Sequence, residues 1–498
     1  MTEQRKFFRQ SAHYFSGRIV LMLLGFVSFP IFTRVFTVAE YGILTLVSNV
    51  ILIFTVFAKF GLQNTVQRFH HENAKSPDPA AFKRFYSTLF TGSFLLGVAA
   101  VSALILGAWL APSSLLPDFG KKLLMLSAWI ICFRAVRAML VNMLQIEGRP
   151  LAYNAIEIAN KVFTIGTICA FLFLWERTLR AFFLGTLLVE AATVLLSIPY
   201  LIKRNMLSLR AFDAASLRTS LNFAFPLLWA ELAWVILDSG DRILVQRFLG
   251  SQALGYYAAA YGISSYVQDL LLAPLSLALF PLCMDLYLTR GISETQHFLS
   301  QGLKYFSIVA IAVFCLFAVS SNEAIVILAS SKYREAHSLI PVLVAGMVIS
   351  SVHAFFRVGL MIARKPAEVA RITAIAGISN IGLNLFLLPR IGLQGAAIAT
   401  LASYTIWVAL TAHAANRAFP FKIQYASILR FLLAGVVAIV ASSFVHFKNP
   451  WENLLVRSFT VAVLYAAMVL LFDGELRMKL RRLATEKFKP LASPEMKA

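Results

Sequence analysis

Charged residues and tyrosines recur at helical spacing inside otherwise apolar stretches of this 498-residue chain. A charge deep in a membrane segment is costly, and it normally faces a bundle interior or a water-filled cavity. Arginine suits bidentate contact with phosphate or carboxylate oxygens, and tyrosine rings can stack on sugar rings. The pattern therefore predicts a basic, aromatic-lined cavity for an anionic substrate with sugar-like surfaces. The candidate cavity residues are Arg18, Lys59, Arg134, Arg137, Tyr153, Glu157, Lys161, Asp238, Arg242, Tyr257, Tyr261 and Arg357.

Three arginines among these candidates carry the sharpest prediction. Arg18, Arg134 and Arg137 have no acidic residue within a turn of their own helix. Arg134 and Arg137 are three positions apart, so they share a helix face and can grip one anion together. We expect these two arginines, with Arg18 approaching across the lobe, to form a cationic surface that binds an anionic group of the substrate.

Other candidates have a purely structural alternative. Glu157 with Lys161 and Asp238 with Arg242 are spaced i, i+4, so each pair can neutralise itself on its own helix. Lys59 and Arg242 lie near predicted helix ends and can extend to the membrane interface instead. The tyrosines can equally be ordinary packing residues. The sequence leaves these alternatives open.

Several kinds of chemistry lack their usual sequence signals. There is no Walker A motif, the histidines do not have metal-ligand spacing, and no long loop carries paired acids. The four cysteines, Cys132, Cys169, Cys283 and Cys315, lie in apolar segments at spacings typical of neither a metal site nor a disulfide framework. We therefore expect a transporter that is not an enzyme, without a cofactor or bound metal. Its energy source is open between a proton or other ion gradient and trapping of the product.

The elements that must position these residues are membrane-spanning helices. The chain is 59% hydrophobic and only 14% charged, with a mean hydropathy of +0.75, whereas a soluble protein carries about 25% charged residues. A bilayer core needs about 20 apolar residues per helix. Fourteen stretches qualify, which predicts an all-helical polytopic membrane protein: 11–36, 39–62, 84–110, 120–146, 150–174, 178–202, 219–248, 252–283, 299–320, 336–362, 366–388, 393–416, 424–446 and 451–473.

Basic residues collect in every second gap between the predicted spans, which sets the predicted orientation. The basic side includes the amino terminus, the 63–83 and 203–218 loops and a tail over 474–498 that carries Lys479, Arg481 and Arg482. The loops on the other side are sparse in basic residues, with Lys448 among the few. By the positive-inside rule both termini are cytoplasmic. The net charge of +21 is therefore topogenic, and we expect no nucleic-acid partner. The amino terminus lacks a cleavage site and is expected to be retained.

An internal repeat divides the predicted spans into two halves. The segment from Arg34 to Gly42 connects the first two spans, and an arginine and a glycine at the same spacing, Arg247 and Gly255, recur 213 positions later. A second match joins Gly166 and Gly382, at a similar offset. Six spans per half in one orientation describe parallel repeats, which predicts two pseudo-symmetric lobes around a central cavity. We assign 1–202 to an N-lobe, 203–218 to a cytoplasmic linker, 219–417 to a C-lobe, 418–473 to two additional spans and 474–498 to the tail.

Three segments resemble one known family. The run from Pro226 to Tyr261, with Asp241-Arg242 and Leu254-Gly255-Tyr-Tyr, is similar to the seventh and eighth helices of Wzx-type polysaccharide (O-antigen) flippases. Pro30-Ile-Phe-Thr-Arg34 followed by Glu40-Tyr-Gly42 resembles the opening of that family, and the run from Pro389 to Thr400 resembles its twelfth-helix entry. These flippases belong to the multidrug/oligosaccharidyl-lipid/polysaccharide exporter superfamily.

The resemblance implies a flippase that moves undecaprenyl-diphosphate-linked repeat units of O-antigen, capsule or exopolysaccharide from the inner to the outer leaflet by alternating access. It implies the bacterial cytoplasmic (inner) membrane, lipid partners, and a polysaccharide polymerase and chain-length regulator nearby. The alternatives are a lipid II flippase or a drug and organic-ion exporter of the same superfamily, or a membrane-embedded glycosyltransferase. The drug exporters often carry an acid in the first helix, and the first span here has none.

Overall fold

The computed structural model describes residues 3–478 except 79, 111–117, 446 and 448. Within this range all regular secondary structure is helical, in agreement with the predicted fold class. The α-helices are α1 (Glu3–Val35), α2 (Val38–Lys59), α3 (Leu62–Ala74), α4 (Ala81–Leu110), α5 (Asp118–Ser127), α6 (Trp129–Ile146), α7 (Pro150–Leu174), α8 (Leu179–Lys203), α9 (Ala214–Ser239), α10 (Asp241–Arg290), α11 (Ile292–Leu328), α12 (Leu339–Ile362), α13 (Pro366–Ile391), α14 (Leu393–Ala418), α15 (Tyr425–Ser442) and α16 (Pro450–Phe472). Lys448 and the predicted basic tail from Lys479 onward lie outside the described residues.

The apolar helices match the predicted number of spans. In the described part of the chain, 13 helical stretches are long and apolar enough to cross a membrane, and one of them, Ala214–Leu272, has 59 residues. At 1.5 Å per residue that stretch is about 90 Å long, against a bilayer core of about 30 Å. Gly250, at φ 82°, breaks it into two, which brings the apolar helical stretches of spanning length in the described residues to fourteen. Gly250 lies 213 positions after Thr37, the residue in the turn between α1 and α2, as the repeat requires.

Several predicted boundaries are wrong, and the causes are local. The 63–83 segment is not simply a loop, because it contains α3, whose polar sequence has no spanning signal. Predicted span 120–146 is two helices, α5 and α6, that meet at Ala128. Short helical turns at Leu209–Ala211 and Ser331–Ser338 occupy the linker and the approach to α12.

The helices form two packed groups that meet along a central seam. In the N-lobe α4 packs on α6 and α7 on α8, while in the C-lobe α12 packs on α14 and α13 on α9. The seam is formed mainly by α2 against α10, with α1 against α10 and α3 against α9. We call the end of the bundle that carries the 63–83 and 203–218 segments the basic end, and the opposite one the far end.

The last two spans attach to the outside of the C-lobe. α15 and α16 pack on each other and on α11, around a buried cluster that includes Cys315, Phe431 and Tyr465. At the basic end Lys304 of α11 pairs with Asp473, which follows α16, at 2.7 Å. These two helices therefore take no part in the seam, which is consistent with their predicted place outside the repeat.

Candidate functional site

A charge cluster lies at mid-height in the N-lobe. Arg134 and Arg137 project from α6 toward Glu190 on α8, and the Nε atom of each donates to one of its two carboxylate oxygens at 2.9 Å. Arg137 also pairs with Glu157 on α7. Only 3% of Glu190 is exposed. The two arginines do grip one anion, but that anion is a carboxylate of the protein.

One cation of this cluster has no carboxylate partner. The structural alternative of a Glu157–Lys161 pair is not seen among the described contacts, because Glu157 binds Arg137 instead. Among the described residues Lys161 makes neither an ion pair nor a hydrogen bond, and it lies close enough to Arg134 for the two charges to repel. Three cations thus face two carboxylates, which leaves one positive charge inside the membrane-spanning part of the lobe.

Arg18 lies at the seam between the lobes. Its helix, α1, crosses α7 closely at Gly17, where an added Cβ would be 2.1 Å from Oδ1 of Asn154. Arg18 itself is exposed and interacts electrostatically with Tyr153 of the N-lobe and Asp269 of the C-lobe. The residue therefore lies near both lobes. Its predicted part in a cationic surface with Arg134 and Arg137 stays a prediction.

The C-lobe holds a second and fully buried polar cluster where α9 meets α10. Tyr257 and Thr400 both donate to Oδ2 of Asp241, and Thr400 does so at 3.2 Å. The Arg242 guanidinium lies 3.6 Å from Oδ1 of Asp241 and 4.0 Å from the ring centroid of Tyr261. These contacts join α10 to α14.

This cluster differs from the predicted arrangement of the same residues. Arg242 donates to the backbone oxygen of Asp238 at 2.7 Å and not to its carboxylate, so the alternative of an i, i+4 ion pair is not seen among the described contacts. Tyr257 is 0% and Tyr261 4% exposed. Their rings are packed inside the C-lobe, and in this conformation neither can stack on a sugar. Tyr153 is half-buried and contacts the ring of Tyr14 edge-on at 5.2 Å.

Arg357 lies apart from both clusters. It is exposed on α12, one turn beyond His353, whose ring stacks on Trp407 at 3.7 Å. In the part of the chain that the structure describes, no ion pair involves Arg357. Arg357 was predicted to line the cavity together with the other candidates, but the described contacts do not join it to them.

At the basic end, side chains join the two lobes. Lys59, which ends α2, forms an ion pair with Glu231 of α9, and Nε2 of Gln63 donates to the second oxygen of Glu231 at 2.9 Å. We call these three residues the basic-end bridge. Lys59 and Glu231 lie on two different predicted spans, and the structure shows that they are partners.

At the far end, the lobes meet through backbone. An added Cβ on Gly42 would lie 2.0 Å from the carbonyl oxygen of Ser251, and one on Gly255 would lie 1.9 Å from that of Val38. The two glycines of the sequence repeat therefore face each other across the seam. The second repeat pair, Gly166 and Gly382, has nothing within 4 Å of an added Cβ.

Cations complete the closure of the far end. Arg34 of α1 donates to the last carbonyls of α11, at 2.7 Å to Ile327 and 3.3 Å to Leu328. Lys332, just beyond α11, donates in return to Arg34 at 3.2 Å and to Phe36 at the end of α1. We call Arg34 and Lys332, with these carbonyls, the far-end latch. Both ends of the seam are closed in this conformation.

The residues that sequence reasoning missed are mostly acids or hydroxyls on a neighbouring helix. Asp241 stood within the family motif beside Arg242, and Glu190 is the only acid of its span. Either fact was a usable signal. Thr400 ends the third of the family-like runs, but nothing in that run pointed to Asp241 as its partner. Asp269 carried no signal, because Arg18 lies on a distant part of the chain.

Comparison with known proteins gives a consistent family picture. Residues 7–287 match the family model described as "Polysaccharide biosynthesis protein". The chain is 20% identical over 470 residues to a probable low-salt glycan biosynthesis flippase, Agl15, of Haloferax volcanii, covering 93% of this chain and 96% of that protein. It is 25% identical over 272 residues to a probable flippase, AglR, of the same organism, covering 52% of this chain and 56% of that protein.

Among solved structures, the lipid II flippase MurJ in an inward closed conformation has a similar fold. The TM-score is 0.73 at 15% identity, with 94% of this chain and 99% of that chain covered. At this identity the likeness concerns the fold alone. The two relatives from Haloferax volcanii are named as probable flippases, which agrees with the expected class of protein.

Proposed function

Because the chain belongs to the polysaccharide biosynthesis protein family, we propose that it is a flippase for lipid-linked oligosaccharide. It moves the glycan from the inner to the outer leaflet by alternating access of a cavity between its lobes. The carrier that we propose is undecaprenyl diphosphate, and the glycan is a repeat unit of O-antigen, capsule or exopolysaccharide. The curated relatives named above come from an archaeon. The contacts on which the proposal rests need only a lipid carrier with an anionic phosphate group.

The observation that carries the proposal is the surplus positive charge of the N-lobe. An unpaired ammonium in a membrane-spanning helix is costly unless it meets water or an anion, and Lys161 has no internal partner in the described contacts. Arg18 is exposed at the seam beside Asp269. A lipid diphosphate entering between the lobes supplies the missing anion to Lys161 and Arg18. Arg134 can then exchange one oxygen of Glu190 for one of the phosphate.

The test uses a deletion strain complemented with variants. Loss of the protein should strand lipid-linked glycan on the cytoplasmic leaflet, and Lys161→Ala or Arg18→Ala should do the same at normal expression. Lys161→Arg should restore export, because the charge is kept. Arg18→Lys should restore it only partly, because the bidentate fork is lost. A deletion strain without stranded lipid-linked glycan would remove the proposal, and so would purified protein that transfers sugar.

Orientation and location are part of the proposal. The protein lies in the cytoplasmic membrane with both termini inside, in the neighbourhood of a polymerase and a chain-length regulator. Cysteines at Ser208 in the linker and at Glu176 at the far end should be labelled from opposite sides of intact cells. Labelling of Ser208→Cys from outside would overturn the orientation.

We also propose coupling to a proton or other ion gradient. Oδ1 of Asp241 is buried without a hydrogen bond, and its nearest cation is Arg242 at 3.6 Å. A buried carboxylate with one free oxygen can take up a proton or a small cation. Export in membrane vesicles should depend on an imposed gradient in the wild type and lose that dependence in Asp241→Asn. Equal gradient dependence in both proteins would contradict the assignment.

A further inference from the structure

A polar cleft opens at the basic end between α3 and α9. Its volume is about 600 Å³, within the range of about 300–1,000 Å³ that is typical of small-molecule sites. The residues that matter here are Gln63, Asn64, Gln67, Arg68, Phe223 and Glu231. The cleft lies on the seam, with one wall from each lobe.

The α3 wall presents amide groups with free hydrogen-bonding capacity. Gln63 is 8% exposed, and its Oε1 is buried without a partner. Asn64 is half-buried and makes no side-chain hydrogen bond among the described contacts. Gln67 uses only Nε2, which donates to Asn142 at 3.3 Å. An amide both donates and accepts, and a buried acceptor without a partner is costly. Oε1 of Gln63 is enclosed by protein, so the amides of Asn64 and Gln67 are the ones that can bind a ligand rich in hydroxyl or amide groups.

The α9 wall presents an aromatic surface. Phe223 is 37% exposed, and its ring is held edge-on against Phe69 at 5.4 Å. Leu227 and Ala230 continue the same face of α9. A fixed aromatic ring opposite a row of amides suits a sugar, which has an apolar C–H face and an edge of hydroxyls.

The charges of the cleft are already balanced. Arg68 pairs with Glu72, and Glu231 pairs with Lys59. This balance distinguishes the cleft from the N-lobe cluster, where one cation is in surplus. A phosphate has no free cation to bind here, whereas a neutral polyhydroxylated ligand meets no unfavourable charge.

We propose that this cleft is a glycan-binding subsite, which takes the sugar part of the lipid-linked substrate before the lobes separate. The inference rests on the proposed function and adds the place where the glycan is first bound. Gln63 and Glu231 belong both to the cleft and to the basic-end bridge. A sugar hydroxyl that donates to Glu231 competes with Lys59, so occupancy of the cleft loosens the contact that closes this end.

The test measures protection of a cysteine in the cleft. Full-length protein with Ala230→Cys is purified and labelled with a maleimide. The probe is the repeat-unit glycan released by mild acid from the lipid-linked pool of the host. The glycan should slow labelling in a saturable way, while sorbitol at the same concentration should not. Labelling of Ser443→Cys, an exposed position at the far end, is the matched control and should not change.

The cleft amides supply the second arm. Asn64→Ala with Gln67→Ala removes neutral hydrogen bonds, so the glycan concentration for half protection should rise about tenfold. No protection of Ala230→Cys by the glycan, or equal protection with and without the amides, would overturn the subsite. Export by the amide variant can also be measured at limiting expression, where Lys161→Ala fails. Normal export there would overturn the subsite and leave the flippase proposal intact. Absence of stranded lipid-linked glycan in the deletion strain would instead count against the flippase itself.

Discussion

At the far end of the seam the two lobes cross backbone to backbone, with an added Cβ on Gly42 or Gly255 at 2.0 or 1.9 Å from a carbonyl oxygen. At the basic end the backbone approach is looser, 2.8 Å from an added Cβ on Gly61 to the carbonyl oxygen of Ala224, and polar side chains join the lobes beside it. The far-end latch uses carbonyl oxygens at the ends of α1 and α11 as acceptors, and the crossing of α2 and α10 has room only for glycine. The basic-end bridge is one ion pair and one amide, with side chains 19% and 24% exposed for Lys59 and Glu231. Water and a polar ligand can replace those partners.

This difference indicates which end opens first. Separating the far end breaks the closest helix crossing and uncovers carbonyls that the cations cap. Separating the basic end breaks a half-buried ion pair, which water can replace, and the apolar contacts of α2 with α9. We therefore expect the conformation seen here to open more readily toward the basic end. That is the predicted cytoplasmic side, where a lipid-linked glycan would be collected.

The largest expected effect comes from the glycine crossing. Gly42→Ala places a methyl group 2.0 Å from a backbone oxygen of α10, and overpacking of this kind costs about 1–3 kcal/mol. The strain is relieved only when the lobes part at the far end. Spin labels at Glu176→Cys and Glu335→Cys, both exposed there, should move apart, and export should fall.

Gly166→Ala and Gly382→Ala are matched controls from the second repeat pair. Both sites have open space around an added Cβ, and alanine favours a helix over glycine by about 1 kcal/mol. These variants should be neutral or slightly stabilised. A far-end distance in Gly42→Ala equal to that of the controls would show that the backbone crossing does not hold this end closed.

The next effect should appear at the basic end. Lys59→Ala leaves Glu231 with Gln63 alone. Losing this half-buried ion pair should reduce the free energy that holds the basic end closed by about 1–2 kcal/mol. Maleimide labelling of Ala230→Cys should then become roughly tenfold faster. Lys59→Glu should speed labelling further by repulsion, and combining it with Glu231→Lys should restore the slow rate. Unrestored labelling in the exchanged pair would mean that the bridge is not electrostatic.

Sequence signals act over short distances along the chain, so they could predict some features of the two ends and not others. Span number, and the break near Gly250, follow from hydropathy and turn residues, which are local. The repeat pointed to Gly42 and Gly255 as equivalent positions, but equivalence does not reveal that the two residues touch. The partners of Arg134 and Arg137 were missed because an i, i+4 rule searches one helix, and Glu190 lies on another.

A smaller effect is expected at the far-end latch. Lys332→Ala removes a donor to the carbonyls of Arg34 and Phe36, and a cation at a helix C-terminus contributes about 0.3–1 kcal/mol. Exposed carbonyls there can bind water instead, so the spin-label distance should widen only in part of the population. Lys332→Arg should keep the wild-type distribution. If Lys332→Ala widened the far-end distance as much as Gly42→Ala, the latch would contribute as much to closure as the glycine crossing.

The smallest effect should come from pH, and it tests whether the two ends are coupled through α11. Burial alone would raise the pKa of Asp473, but hydrogen bonds from Lys304 and from the backbone of Leu476 outweigh it and hold that pKa below its usual value. A lowered carboxyl pKa stabilises the fold above the unfolded-state pKa of about 3.9, and this contribution is lost as pH falls through the folded pKa. Glu475 also binds Lys304, so the loss should be about 1 kcal/mol or less. Asp473→Asn should lower the melting temperature slightly at pH 7 and leave it closer to wild type at pH 3.

The acceptors of the far-end latch are carbonyls, which do not titrate, so the far-end distance should stay constant in Asp473→Asn. A shift in that distance would mean that α11 transmits the state of the basic end to the latch.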